Sequence, residues 1–394
     1  MLVKMKDICT KIGSGATPKG GNNAYIEEGT ALIRSQNILD FSFSYNGLAY
    51  INDEQASKLN GVTIKEDDVL LNITGDSVAR ACMVDNSVLP ARVNQHVCIV
   101  RGNKSRVLSS FILYFLQMKK PELLMMASSG ATRNALTKGM IEELEVELPS
   151  LEKQERMVSL LDNLQNKISK NNQINRNLSE QAQSLFKSWF IQLDPFNGEV
   201  PENWSKGMLK DILQLRKDGT KAGKNTELPY LPIDVIPMND LSITEVKPNE
   251  EAQSSLIMFN KNDILIGAMR VYFHRVVIAP FDGITRSTCF VLRPYNNVYL
   301  SFGLLCCNQR SSIDYAQATS KGSTMPYAIW DNGLGDMEIT IPDIETASKF
   351  NKIIKPMLEI IQKSFYEVQR LQELRDILLP KLMSGELDVS DLNI

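Results

Sequence analysis

Two stretches of this chain carry apolar residues at the seven-residue repeat of a coiled coil. From Leu151 to about Trp189, Leu161, Ile168, Asn175, Ala182 and Trp189 recur at every seventh position. Met157, Leu164, Asn171, Leu178 and Leu185 form the companion series. That pattern predicts one long helix, closed by Asp194-Pro195-Phe196-Asn197-Gly198. From Ile344 to about Leu379 the seam returns at an offset of 193 residues, as Phe350, Ile354, Met357, Ile361, Val368, Leu371 and Leu378. Pro356 inside this run predicts a kink or a delayed start. Asn171 and Asn175 put polar groups in the first seam, where they cost stability but can set register.

Outside the helices the period changes to short apolar runs bounded by Gly, Asn and Ser, the signature of strands and turns. Ala31-Leu32-Ile33-Arg34, Asp68 to Ile73 and Val97 to Val100 read as strands, and Thr10 to Asn23 as a glycine-rich loop. The same order recurs downstream. Leu209-Lys210-Asp211-Ile212 echoes Met5-Lys6-Asp7-Ile8, and Asp263 to Gly267 echoes Asp68 to Asn72, with Arg275 at the place of Arg80. Cys289-Phe290-Val291 echoes Cys98-Ile99-Val100, and Gly322-Ser323-Thr324 echoes Gly130-Ala131-Thr132. A unit repeated on this scale decides the architecture before any single motif does. The expectation is an α+β protein: two similar strand-rich α/β domains, 1–148 and 195–342, separated by two long antiparallel coiled-coil helices, 149–194 and 343–394 with its tail. The internal repeat makes the plan pseudo-two-fold.

Composition narrows the chemistry. No run of about 18 apolar residues exists, so no membrane partner is expected. The N-terminus lacks an apolar signal region, which points to a cytoplasmic protein. Six scattered cysteines without a Cys-x-x-Cys pair and only two histidines, His96 and His274, predict reduced thiols and no metal site. The net charge of −3 argues against DNA binding by bulk electrostatics, although residues 1–140 hold 16 Lys and Arg against 12 Asp and Glu. No Asn/Asp-Pro-Pro-Tyr tetrad and no Walker-type loop is present. Gly13-Ser14-Gly15 reads as a turn, since no helix follows it. Pro232-x-Asp234 with Glu245-x-Lys247 mimics a nuclease metal site, but a short pattern in a proline-rich stretch recurs by chance. The Trp189-Phe190 pair reads as closing a helix end against a domain.

The order of these motifs resembles the specificity subunit of type I restriction–modification enzymes. The likeness rests on Gly13 to Pro18 with Tyr25 and Gly29, on Val93-Asn94-Gln95-His96-Val97 and on Ser129-Gly130-Ala131-Thr132. It also rests on Leu148-Pro149-Ser150-Leu151-Glu152-Lys153-Gln154, where the first helix starts, and on Leu185 to Phe190 and Leu378 to Leu387, where the helices end. Asp343-Ile344-Glu345-Thr346-Ala347 lacks the glutamine of that helix start. The resemblance implies a prokaryotic, non-catalytic DNA reader. Its two target-recognition domains would each read half of a split double-stranded sequence. Two adenine-methyltransferase subunits would dock on the helices, and motor-nuclease subunits would complete the restriction complex. S-adenosylmethionine, ATP and Mg would belong to those partners, with no cofactor and no metal bound by this chain. A self-sufficient nuclease and a coiled-coil scaffold that does not bind DNA are the alternatives.

Base edges are read by cationic and amide side chains, Arg and Lys on guanine and Asn and Gln on adenine. The loops of the first half offer Lys19, Arg34, Gln36, Arg80, Arg92, Asn94, Gln95 and Arg133. Those of the second half offer Lys217, Lys221, Lys224, Arg270, Tyr272, His274, Arg275, Arg286 and Lys321. The dispersed charge predicts weak DNA affinity for the chain alone. Filter binding by the isolated subunit should give a constant in the non-specific range, roughly 10⁻⁴ to 10⁻⁶ M at physiological salt; tight, salt-resistant binding would contradict this reading.

Overall fold

The computed structural model describes residues 1–128, 134–253 and 255–388. Two compact units divide the chain: Met1–Asn166 with Glu373–Ile394, and Lys167–Gln372. The boundaries fall inside the two long helices, Leu151–Phe190 and Ile344–Met383, each of 40 residues. Each unit therefore owns a stretch of both helices, so the helices are not domains apart from the strand-rich parts.

In the first unit a four-stranded antiparallel sheet runs in the order Cys9–Ser14, Val97–Gly102, Val69–Asn72, Ala81–Met83. In the second unit Leu213–Arg216, Cys289–Pro294, Ile264–Gly267 and Val276–Ile278 take the same order. A two-stranded ribbon also recurs: Leu2–Lys4 with Glu145–Glu147, and Ser205–Met208 with Glu338–Ile341. The three-stranded sheets differ. The first unit pairs Thr30–Ile33 with Ala91–Val93 in parallel, whereas the second joins Gly219–Thr220, Leu256–Phe259 and Gly283–Arg286 with antiparallel pairs only. The repeat is thus strictest in the central sheet.

One polar device marks both central sheets. Arg101 makes a bidentate pair with Asp68, Nε to Oδ1 at 2.6 Å and Nη2 to Oδ2 at 2.7 Å. Arg293 does the same with Asp263 at 2.7 and 2.8 Å. Both carboxylates are buried. Asp68 and Asp263 also accept a backbone N–H, from Lys65 and Asn260, each at 2.7 Å. A buried charge is tolerated only when paired and hydrogen-bonded in this way.

The helix seams follow the heptads. Leu161, Ile168, Ile354, Ile361 and Val368 are buried, and Leu164, Leu178, Leu185, Met357, Leu371 and Leu378 are half-buried. In the second unit Asn175 donates from Nδ2 to Ser364 Oγ at 3.0 Å, and Lys167 lies 3.3 Å from Glu367. In the first unit Arg375 donates to Gln165 Oε1 at 2.8 Å and lies 4.3 Å from the ring centre of Phe41. These pairings run antiparallel within each unit. The second helix runs through Pro356 from Ile344, so the expected late start does not occur. Pro356 is on the exposed side, where water can take the carbonyl left without a partner. Phe186 and Phe190 pack on Phe302 and Phe350, so the aromatic end of the first helix is core.

The helix starts differ for a visible reason. Gln154 is buried and bonds Leu108 N–H at 2.9 Å and the carbonyls of Arg106 and Pro149 at 3.0 Å each. At the corresponding place Ala347 is buried with no polar group to satisfy. There Asp343 caps the helix through the N–H groups of Glu345 and Thr346, and the Tyr299 hydroxyl donates to Pro342 O at 3.0 Å.

Asp263→Ala should cost about 3 kcal/mol by leaving Arg293 unpaired and should speed hydrogen exchange in the strands of the second unit alone. Asp68→Ala should do so in the first unit alone. Equal loss of protection in both units from either variant would show that the clamps do not act locally.

Candidate nucleic-acid interface

In the first unit the motifs singled out in sequence converge on one loop cluster. The glycine-rich loop docks through Gly15 N–H to Val97 O at 3.1 Å and Ala16 N–H to Val93 O at 3.2 Å. A β-carbon at Gly15 would lie 1.8 Å from Val93 O, so only glycine allows this approach. The Thr17 hydroxyl donates to Gln95 Oε1. His96 Nδ1 lies 2.6 Å from Thr74 Oγ1, and Ile73 N–H donates to His96 O at 3.0 Å. Asn72 Nδ2 reaches Ser35 O at 2.9 Å. Two further bonds tie this loop to the segment after the small-residue motif: Gly75 N–H to Asn134 O at 3.1 Å and Leu136 N–H to Ile73 O at 2.8 Å.

The second unit repeats that last arrangement. Arg270 N–H donates to Pro326 O and Ala328 N–H to Ala268 O, each at 2.8 Å. Lys321 and Tyr327 exchange backbone bonds at 2.9 Å. The hairpin loop between the third and fourth strands in the order of each central sheet thus has one template. Positive φ occurs at Gly75 (+77°) and Ala79 (+67°) in one copy, and at Arg270 (+50°) and His274 (+51°) in the other. Lys221 and Lys224 are exposed on a turn beside Thr220. Arg286 is exposed at the end of its strand, with Leu256 between it and Thr220 across the three-stranded sheet.

The profile of the type I restriction modification DNA specificity domain matches residues 1–180 and 201–374. The chain belongs to this family. It is 25% identical to the type I restriction enzyme MjaIX specificity subunit of Methanocaldococcus jannaschii, over 99% of this chain and 94% of that one. It is 22% identical to the type I restriction enzyme HindI specificity subunit of Haemophilus influenzae, over 93% and 95%. Its fold is similar to the crystal structure of the type I restriction–modification S subunit from M. genitalium, with a TM-score of 0.57 and 13% identity over 97% of this chain and 96% of that one.

Four of the specificity chain's expected base-reading residues are instead committed inside the fold. Arg92 is buried and donates to Ala56 O at 3.1 Å, Ala91 O at 3.1 Å and Asn60 Oδ1 at 2.9 Å. Asn94 is buried and accepts from His96 N–H at 3.1 Å, closing the turn after its strand. His274 is buried, with Nε2 donating to Asn308 O at 3.1 Å and facing Asn308 Oδ1 at 2.8 Å. Arg275 holds the carbonyls of Ile233 at 2.6 Å, Asp234 at 2.9 Å and Ile236. Burial lowers the pKa of both guanidinium groups, Arg92 and Arg275. These four brace the loops.

Other candidates sit at the surface. Lys19, Gln36, Gln95, Arg270, Tyr272 and Lys321 are exposed, and Arg34 and Arg80 half-buried. Arg34 donates to Gly47 O and stands 5.2 Å from the centre of the Tyr25 ring. Gln36 donates to Asn46 O at 3.2 Å and Gly47 O at 3.1 Å. Lys217 is exposed and 3.9 Å from Asp331. Arg133 lies outside the described residues, as does the Ser129-Gly130-Ala131-Thr132 motif. Residues passed over in sequence include Asn37, which is buried and accepts from Arg34 N–H at 3.0 Å while donating to Ser44 O at 2.9 Å. Phe273, Met325 and Tyr327 are exposed as well. Two adjacent aromatics, Tyr272 and Phe273, between Arg270 and Arg275 were the available signal.

The nuclease-like pattern resolves into an ion pair, Lys247 to Asp234 at 3.0 Å, with Glu251 3.8 Å away. Among the described residues no three His, Cys, Asp or Glu side chains are grouped to hold a metal ion. Burial pushes the thiols of Cys82, Cys98, Cys289 and Cys306 up to about 12, away from nucleophilic reactivity.

Bracing and surface residues should separate in denaturant. Arg92→Ala and His274→Ala should each lower stability by about 2 kcal/mol, since each strands buried polar partners, whereas Arg270→Ala and Lys321→Ala should stay within about 0.5 kcal/mol of the parent. A reversed order in urea midpoints would contradict the assignment.

Proposed function

We propose that this chain is the sequence-reading subunit of a type I restriction–modification assembly, and that each unit reads one half of a bipartite double-stranded target. One observation carries the reading: the same loop template appears on both central sheets while the side chains it presents differ. A shared scaffold with unlike loops is what two readers of different half-sites require, because base discrimination lies in the side chains and positioning in the backbone. The exposed Lys19, Gln36 and Gln95 of the first unit, and Lys221, Lys224, Arg270, Arg286 and Lys321 of the second, supply cationic and amide groups for base edges and phosphates.

In this reading the two helices, about 60 Å each at 1.5 Å per residue, set the distance between half-sites. Two adenine-methyltransferase subunits and motor-nuclease subunits dock on the chain and supply S-adenosylmethionine, ATP and Mg²⁺ chemistry. This chain contributes recognition and no active site.

Domain exchange tests it. Replacing residues 1–140 by the matching part of another family member should change one half of the methylated sequence and leave the other half and the spacer intact, as read by sequencing methylated adenines in a host carrying the hybrid. A hybrid that alters both halves would defeat the two-reader proposal.

A further inference from the structure

The two copies of the hairpin loop differ in what they show to solvent. In the second unit Val271 is buried, Tyr272 and Phe273 are 38% and 37% exposed, and His274 turns back inside. The two rings touch, with centroids 4.9 Å apart. The segment that carries exposed Met325 and Tyr327 is tied to the start of this loop, through the bridge of Met269 to Tyr327 and the bond from Arg270 N–H to Pro326 O at 2.8 Å. Asn239 N–H, next to exposed Met238, donates to His274 O at 2.8 Å at the end of the loop. An apolar patch of this kind on a loop marks a contact surface.

The patch is held stiffly. Two non-glycine residues in the left-handed region, Arg270 and His274, flank the tip. Such strain persists only when the surroundings over-determine it, and it gathers at functional sites. Here the braces are the His274 bond to Asn308 and the Arg275 bonds to three carbonyls. At the corresponding places the first unit carries Asp76, Ser77 and buried Val78. That tip has the same length but is polar and acidic.

Charge decides what occupant the aromatic tip fits. Arg270 and Lys321 flank it, both exposed and without an ion pair among the described residues, while Asp314 on the neighbouring helix is taken by Arg310 at 2.9 Å. Cations around a rigid aromatic tip suit a polyanion whose interior is a stack of flat rings. We propose that Tyr272 and Phe273 form a wedge that enters a base step in the half-site read by the second unit and unstacks it, and that the first unit makes no such insertion. The inference rests on the DNA-reading function proposed above and adds an asymmetry to it. Arg270 and Lys321 then hold the phosphates either side of the opened step, and recognition there includes how readily the step deforms.

The test uses the chain assembled with its methyltransferase partner and target duplexes carrying 2-aminopurine at successive positions, the methylated adenine left as adenine. The parent should give a fluorescence rise at one step in the second unit's half-site, identified by the domain exchange. Phe273→Ala and the double variant Tyr272→Ala/Phe273→Ala should abolish the rise and weaken binding by about tenfold or more, the scale of lost base–aromatic stacking. Phe273→Tyr should keep both. Unchanged urea midpoints show that the variants fold. The wedge is overturned if the parent binds its target without a rise, if Phe273→Ala leaves the rise in place, or if the variants shed the methyltransferase while the fluorescence signal persists. If the parent complex binds no DNA sequence-selectively, the underlying reading fails instead.

Discussion

The bidentate pair between a buried aspartate and an arginine on the adjacent strand is the constraint on which the rest of each unit depends. Asp68 and Asp263 stand immediately before the strands Val69–Asn72 and Ile264–Gly267. Their backbone carbonyls also accept from Val84 and Ala279, each at 2.9 Å. One residue therefore fixes three things: the strand that leads to the loop, the strand that returns from it, and the neighbour that carries the arginine. A one-residue slip would turn every side chain to the opposite face, and the buried carboxylate makes that slip costly because it would lose its paired arginine. The loop at the far end of the hairpin inherits this register.

Upon that base the loops are assembled by hydrogen bonds together with a few buried apolar anchors, Ile73, Val78 and Leu136 in the first unit and Val271 and Ala328 in the second. Gly15, Thr17, Asn72, Thr74 and His96 link four segments that are distant in sequence. In the second unit His274 and Arg275 do the corresponding work from within the hairpin itself. A buried polar group left unpaired is costly, and several arginines and amides that look like free readers in sequence hold backbone groups of the loops instead. The groups left at the surface are fewer, and their contrast between the units is sharper: a carboxylate and a serine on one tip, two aromatic rings on the other.

The helices show how a repeat tolerates substitution. Gln154 binds three backbone groups of its unit, and its counterpart Ala347 binds none. The second copy compensates with the Asp343 cap and the Tyr299 hydroxyl. Arg375 sits in a seam position beside Gln165 and Phe41, its charge met by the Asp376 carboxylate at 2.8 Å, an amide and a ring face. The motif is therefore one solution to joining helix and domain, and the second copy uses another.

Periodicity alone determined the two long helices, their seam, the duplication and the main strands, because burying one face of an element leaves a regular trace in the order of residues. It also located the loops that matter, since glycine and asparagine mark left-handed turns. What it left open was the direction of each polar side chain. Arg92, Asn94, His274 and Arg275 have the chemistry of base readers, and only the tertiary structure shows that they are turned inward, Arg92, His274 and Arg275 onto groups from distant segments and Asn94 onto its own turn. The Arg101–Asp68 and Arg293–Asp263 clamps were invisible for the same reason, their partners lying 33 and 30 residues apart. The exposure of Phe273 was equally a tertiary outcome, because an aromatic in a loop reads as core until the fold shows which way it points.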